Sequence, residues 1–203
     1  MSFGKYINPY TSRKSLREDT LSICSTKRMN KEALLVIDML NDFVERGAPL
    51  EVPSARQILP RIKERIEEAR KRRIPVIYIC DAHLEKDEEF KKWPEHAVLG
   101  TRGAEVVEEL KPEKGDFIVR KRRYSAFLGT DLDLLLRELR VEKLCLTGIL
   151  TNICVFFTAA EAVMRDYEVV IYADCVAALS EEVHRFSLTQ LRDVLKVKVE
   201  GRI

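Results

Sequence analysis

The chain has little of what marks several whole classes of protein. None of its apolar runs approaches the length of a membrane span, and no secretory signal opens it. Charge of either sign is nearly cancelled: 35 Lys and Arg stand against 33 Asp and Glu, a net of +2. A nucleic-acid binder would show a basic face, so neither a nucleic-acid nor a membrane partner is expected. The five cysteines (Cys24, Cys80, Cys145, Cys154 and Cys175) are odd in number, scattered, and form no CxxC pair. That argues against a disulfide framework and against a zinc finger, and makes a reducing, cytoplasmic setting the expectation. Histidine is scarce as well, with only His83, His96 and His184.

What is present describes an ordinary globular chain. It has 203 residues, 46% apolar and 33% charged, which suits one domain burying about 70% of its unfolded surface. Residues 1–29 stand apart. They carry Lys5, Arg13, Lys14, Arg17, Lys27 and Arg28 against Glu18 and Asp19, with little apolar periodicity. They lack the long amphipathic stretch of a transit peptide and read as a surface arm packed on the body or a neighbouring subunit. The domain proper is expected over 30–203.

From Ala33 the pattern alternates. Apolar runs at Ala33–Asp38, Pro75–Cys80, Asp116–Arg120, around Leu144, and at Glu168–Asp174 read as buried strands. Helical spacing appears over Pro53–Arg72, Ala104–Leu110, Leu132–Leu139, Cys154–Arg165 and Glu181–Leu195. The terminal VKVEG suggests a sixth, edge strand. Strand–helix alternation of this kind predicts an α/β fold with three α/β/α layers and a six-stranded, mostly parallel sheet. The site of such a fold lies at the carboxyl ends of the strands.

That rule selects Asp38 after the first strand, Asp81 and His83 after the second, Lys121 after the third and Cys154 after the fourth. Each has a plainer reading when taken singly. Asp38 would cap a helix, Lys121 would be one more charge beside Arg120, Arg122 and Arg123, and Cys154 would be a small buried apolar residue. Together, on successive strand ends, they fit a site. Cys154 follows the turn Ile149-Leu150-Thr151-Asn152 and opens a helix, where free N–H groups and the helix dipole favour thiolate. Asp81 and His83, spaced D-x-H, with His96 nearby, have metal-ligand character; two histidines and a carboxylate suit a catalytic zinc. The plainer reading is hydrogen bonding within the loop. His184 lies on a charged helix and reads as surface, and the acidic run Glu85, Asp87, Glu88, Glu89 as mostly a solvated face.

Three motifs in order, VIDMLNDF with Asp38, KRRYSAF with Lys121 and TGILTNICV with Cys154, resemble the isochorismatase-like cysteine hydrolases, the superfamily that includes nicotinamidases. The resemblance covers roughly Ala33 to Ala178. It implies a triad of Asp38, Lys121 and Cys154, and a cis peptide between Ile149 and Leu150 that aims the Leu150 N–H, with that of Cys154, at a substrate oxygen. It implies thioester hydrolysis of a small amide such as nicotinamide, and a homo-oligomer, dimer or tetramer. Asp81, His83 and His96, with Glu89 as a further candidate, resemble the nicotinamidase ligands for Zn2+ or another divalent metal; no organic cofactor is implied. Trp93 resembles the aromatic that stacks on the pyridine ring, and Phe43, Tyr124 and Phe127 are expected to complete the substrate pocket. The loop from His83 to His96 is shorter than in a typical nicotinamidase. Two other readings stay open: an isochorismatase-type vinyl-ether hydrolase, which KRRYSAF resembles strongly, and a catalytically silent binding protein on the same fold.

Overall fold

A computed structural model describes residues 31–201 of the chain. The arm read over residues 1–29 lies outside the described residues. Six parallel strands form one sheet: β1 Glu32–Ile37, β2 Val76–Asp81, β3 Phe117–Lys121, β4 Lys143–Ile149, β5 Glu168–Ala177 and β6 Lys198–Glu200. Their order is β3-β2-β1-β4-β5-β6. The sequence therefore runs outward in one direction from β1 and in the other from β4. The crevice above the β1–β4 pair is the switch point where ligands of open α/β sheets bind.

Alternation of side chains along the strands explains the layers. Ala33, Leu35 and Ile37 of β1 face one way and pack with Leu132 and Leu136 of α3 (Leu132–Glu138), Val155, Ala159 and Ala162 of α4 (Cys154–Met164), and Leu188 and Leu191 of α5 (Glu181–Asp193). Leu34 and Val36 face the other way, onto Ile58, Ile62 and Ile66 of α2 (Ala55–Lys71). Those three isoleucines recur every four residues, so the covered face of α2 is a single stripe. A short helix, α1 (Asn41–Val44), follows β1 directly. No helix among the described residues is long and apolar enough to cross a membrane.

The three-layer, six-stranded prediction holds, but the predicted helix over Ala104–Leu110 does not. That stretch holds two 3-10 turns, Arg102–Ala104 and Glu108–Leu110, around extended residues, and Val106 pairs antiparallel with Leu40. Its apolar residues recur at helical spacing, yet the segment is too short to stabilise a helix nucleus unaided. Pairing with the chain after β1 satisfies its backbone instead.

Gly148 sets the approach of β4 to β1. Its φ is +108°, and a Cβ there would meet the carbonyl oxygen of Ile37 at 2.0 Å and its nitrogen at 2.7 Å. Those are backbone atoms of the residue that precedes Asp38, so nothing can rotate away. Gly148→Ala is expected to destabilise the protein by at least about 2 kcal/mol, through overpacking and positive-φ strain together. An unchanged denaturant midpoint for this variant would contradict the close packing of the two central strands.

Candidate active site

The sheet delivers one polar side chain per strand end. Lys121 is the last residue of β3, Asp81 the last of β2, Asp38 follows β1, and Cys154 opens the helix after β4. Taken across the sheet, the four therefore stand in a row along its carboxyl edge, and Asp81 is in direct register with Lys121. Asp38 holds a left-handed backbone at φ 53°, a conformation that aspartate tolerates better than most residues. Its N–H donates to the Ile79 carbonyl at 2.8 Å, and its Oδ1 accepts from the Asp81 N–H at 2.9 Å. These bonds fix the direction of its carboxylate.

Lys121 is the hub. Its Nζ lies 2.8 Å from Asp38 Oδ2, 2.6 Å from Asp81 Oδ1 and 3.4 Å from Cys154 Sγ. Its neighbours Arg120 and Arg122 are exposed, whereas Lys121 is 1% exposed, so it is not one more member of a surface basic cluster. Burial alone would lower its pKa, but Asp38, Asp81 and Cys154 outweigh that and raise it well above the usual ammonium value. The Asp38 carboxyl moves the other way from an ordinary aspartate. Burial first, and then Asp81, push it up to about 6, against the pull of Lys121. Asp81 is held low: burial would raise it, but Lys121 and His83 prevail.

Burial overrides the helix-dipole effect that the sequence suggests would favour a Cys154 thiolate. Cys154 is the first residue of α4, as the sequence pattern indicates, but its sulfur sits in a buried pocket floor. Burial raises its pKa well above the usual thiol value, Lys121 opposes this, and Asp38 and Asp81 reinforce it. The resting form is the thiol, with a carboxylate beside it to take the proton. A cis peptide joins Ile149 to Leu150. Among the described residues no carbonyl takes up the N–H of Leu150 or of Cys154, while the Leu150 carbonyl is occupied by the N–H groups of Ile153 and Val155. Two donors are thus left free at the nucleophile.

A second group adjoins the first. Asp81, His83 and His96 are all buried, and one ligand atom from each lies within 4.8 Å of the others. Asp81 Oδ2 faces His83 Nε2 at 3.8 Å. The His96 ring contacts the Pro94 carbonyl through Nδ1 at 2.6 Å, which presents Nε2 inward. His83 completes no hydrogen bond at either ring nitrogen, although Asp87 stands 3.3 Å from Nδ1. The acidic run is therefore not a solvated face throughout. Asp87 is buried and held by Arg122 Nε at 2.8 Å and Arg123 Nη1 at 2.9 Å, and this is where the basic pair after Lys121 is used. The spacing i, i+4 from His83 is the signal that points to Asp87. Glu89 is buried at the pocket wall but is not part of that group of three, its carboxylate 3.5 Å from Arg123.

The cavity above Cys154 has a volume of about 240 Å³, small even for a ligand site. Phe43, Trp93 and Tyr124 line it, with Leu50, Ile153 and Leu179. The Trp93 indole N–H donates to the Tyr124 hydroxyl at 3.1 Å. Phe127 is not brought to this pocket. It is 5% exposed in the core beneath α4, stacked on Tyr167 and covered by the Arg165 guanidinium. His184 is also misplaced by the sequence reading: it is half-buried on α5 and bonded to Thr151 in the turn before Cys154.

With this geometry in place, the comparison with known proteins decides the family. The isochorismatase domain matches residues 32–199. The chain belongs to that family. Its fold is shared with an isochorismatase-like hydrolase from Alkaliphilus metalliredigens (42% identity, TM-score 0.80, covering 83% of this chain and 93% of that one). It is equally close in shape to the nicotinamidase/pyrazinamidase PncA of Bacillus subtilis (32% identity, TM-score 0.80, 84% and 99%). The pyrazinamidase of Pyrococcus horikoshii, whose structure is a complex with zinc, is 30% identical (TM-score 0.79, 85% and 99%). Isochorismatase-family hydrolases thus include enzymes that act on small amides.

Proposed function

We propose that this isochorismatase-family chain is a thiol amidohydrolase that cleaves a small, uncharged aromatic amide of the nicotinamide type. The observation that carries the reading is the convergence of Asp38, Lys121 and the Cys154 thiol within hydrogen-bonding reach of one ammonium group. Asp38, ionised above its raised pKa, accepts the thiol proton as sulfur attacks the amide carbon. The oxyanion develops where the free N–H groups of Leu150 and Cys154 point, a setting in which one donor is worth about 3 kcal/mol. The carbon–nitrogen bond then breaks, and Asp38 returns its proton to the departing ammonia. A water molecule, deprotonated by the same carboxylate, cleaves the thioester, releasing the acid and restoring the thiol. Lys121 keeps the two carboxylates and the reacting sulfur in electrostatic balance throughout.

Charge favours this reading over the vinyl-ether one. The residues lining the cavity include Asp38, Glu51, Asp81 and Glu89 and no arginine or lysine. Lys121 lies behind them, already shared between two aspartates. Isochorismate carries two carboxylates, and no lysine or arginine among the described residues lines the cavity to meet them. An uncharged amide has no such requirement, and Phe43, Trp93 and Tyr124 offer it aromatic faces. The direct test is ammonia release from a panel of nicotinamide, pyrazinamide and benzamide, run beside pyruvate release from isochorismate. Ammonia release is expected, and pyruvate release is not.

The buried trio fits a divalent ion, because His83 presents ring nitrogens with no hydrogen-bond partner and Asp81 keeps one carboxylate oxygen free of Lys121. Asp81, His83 and His96 would hold the ion, and when bound it supplies a Lewis-acidic anchor for a substrate lone pair beside Cys154. His83→Ala is expected to weaken zinc binding by more than about tenfold. Competition with a chromogenic chelator measures this without reference to turnover. Equal zinc affinity in the variant and the parent protein would remove His83 from the ligand set.

A further inference from the structure

We propose that His184 is a positioning residue: through its hydrogen bond to Thr151 it holds the turn whose N–H groups receive the oxyanion. The inference rests on the amidohydrolase reading above and adds to it a residue outside the pocket.

Thr151 is fully buried, the residue immediately after the cis peptide and three before the nucleophile. It is tied at two points, to the last residue of β5 and to α5. Its N–H donates to the Ala177 carbonyl at 2.8 Å, and its Oγ1 meets His184 Nδ1 at 2.9 Å. His184 is itself well placed to serve as an anchor. Its N–H donates to the Ser180 carbonyl at 3.0 Å, and Ser180 caps α5 by accepting the Val183 N–H. The loop that leads into α5 is pinned from the far side, where Ser54 Oγ donates to the Ala178 carbonyl at 2.8 Å. Burial lowers the His184 pKa, so the ring is neutral around pH 7. A neutral ring offers one acceptor and one donor, and either suits a hydroxyl.

The consequence is local. The turn from Leu150 to Ile153 is short, and its own backbone bonds, from Ile153 and Val155 to the Leu150 carbonyl, leave the orientation of the whole turn open. The bonds made by Thr151 set that orientation. An oxyanion donor displaced by an ångström loses much of its effect on the transition state while substrate binding in the aromatic pocket is untouched. The expected signature is therefore in kcat rather than KM.

The test compares four variants of the full chain: His184→Ala, His184→Asn, Thr151→Val, and the double variant His184→Ala with Thr151→Val. Asparagine places an amide group where Nδ1 stands, so it can keep the bond to Thr151. Nicotinamide turnover should show kcat falling roughly 10- to 100-fold in His184→Ala and in Thr151→Val. KM should stay within about twofold, the double variant should be no worse than either single one, and His184→Asn should recover most of the loss. Alkylation of Cys154 by iodoacetamide forms no oxyanion and should run at one rate in all four. Wild-type kcat in His184→Ala, equal losses for alanine and asparagine, or losses that multiply in the double variant would each overturn the proposal. Hydrogen exchange of the peptide spanning Thr151 to Cys154 supplies a readout without turnover. If the parent chain hydrolyses no amide, the amidohydrolase reading fails. Faster exchange in His184→Ala but not in His184→Asn would still support the anchor, and unchanged exchange in both would overturn it.

Discussion

Replacing Cys154 by alanine is expected to lower amide hydrolysis by a factor of roughly 10⁴ or more while leaving the fold intact. The reason is that Cys154 is the one thiol among the described residues that lines the pocket. Among the described residues the remaining cysteines, Cys80, Cys145 and Cys175, are buried and lie outside the pocket lining. The side chain removed is small and sits at the floor of a cavity, so the packing cost is minor. Cys154→Ser sharpens the test, since it keeps the volume but offers a hydroxyl far harder for Asp38 to deprotonate. Both variants should match the parent protein in their denaturant midpoint. Ammonia release with time, at saturating nicotinamide, is the measurement.

The second large effect is expected at Lys121. Lys121→Met keeps the length of the side chain and removes its charge. Two buried carboxylates, Asp38 and Asp81, then face each other without their shared cation. Removing one partner of a buried ionic group costs about 3–5 kcal/mol, and proton uptake by Asp38 limits the loss to the lower end of that range. The same proton uptake removes the base, so stability and turnover should fall together. Urea unfolding and ammonia release measured on one preparation give both numbers. A variant that keeps the parent's midpoint would show that Lys121 is not the hub of the site.

Much of the architecture is legible in the sequence because parallel strands are buried on both faces. Leu34 to Ile37, Ile77 to Cys80 and Leu144 to Leu146 are apolar without interruption, and such runs declare themselves. Asp38 stands where the first of these runs stops, whereas Lys121 closes the edge strand two residues after Val119 and Cys154 follows the turn after β4. Other features depend on depth, which a linear pattern does not record. The Cys154 thiol is kept protonated by burial and by two carboxylates that come from other strands. The helix-dipole argument reads only its own helix. Phe127 stands three residues after Tyr124, yet Tyr124 turns to the pocket and Phe127 to Tyr167 in the core.

His184 was hidden by its company. Glu181, Glu182 and Arg185 surround it in sequence, and all three are exposed. The helical period nevertheless puts it on one face with Ser187, Leu188 and Leu191, which are buried. Asp87 is a similar case, its acidic neighbours Glu85 and Glu88 being exposed while it is enclosed by His83, Arg122 and Arg123. In both, the face on which a residue lies carries more information than the charge of the residues next to it.

The central claim is that Cys154 carries the acyl group of an amide substrate. Intact-protein and peptide mass spectrometry of a reaction quenched in acid within the first turnovers, with nicotinamide in excess, tests it most directly. The expected result is a mass gain equal to a nicotinoyl group less one hydrogen, confined to the peptide that contains Cys154 and absent from Cys154→Ala. Steady ammonia release with no adduct on that peptide, or an adduct that survives in Cys154→Ala, would contradict it.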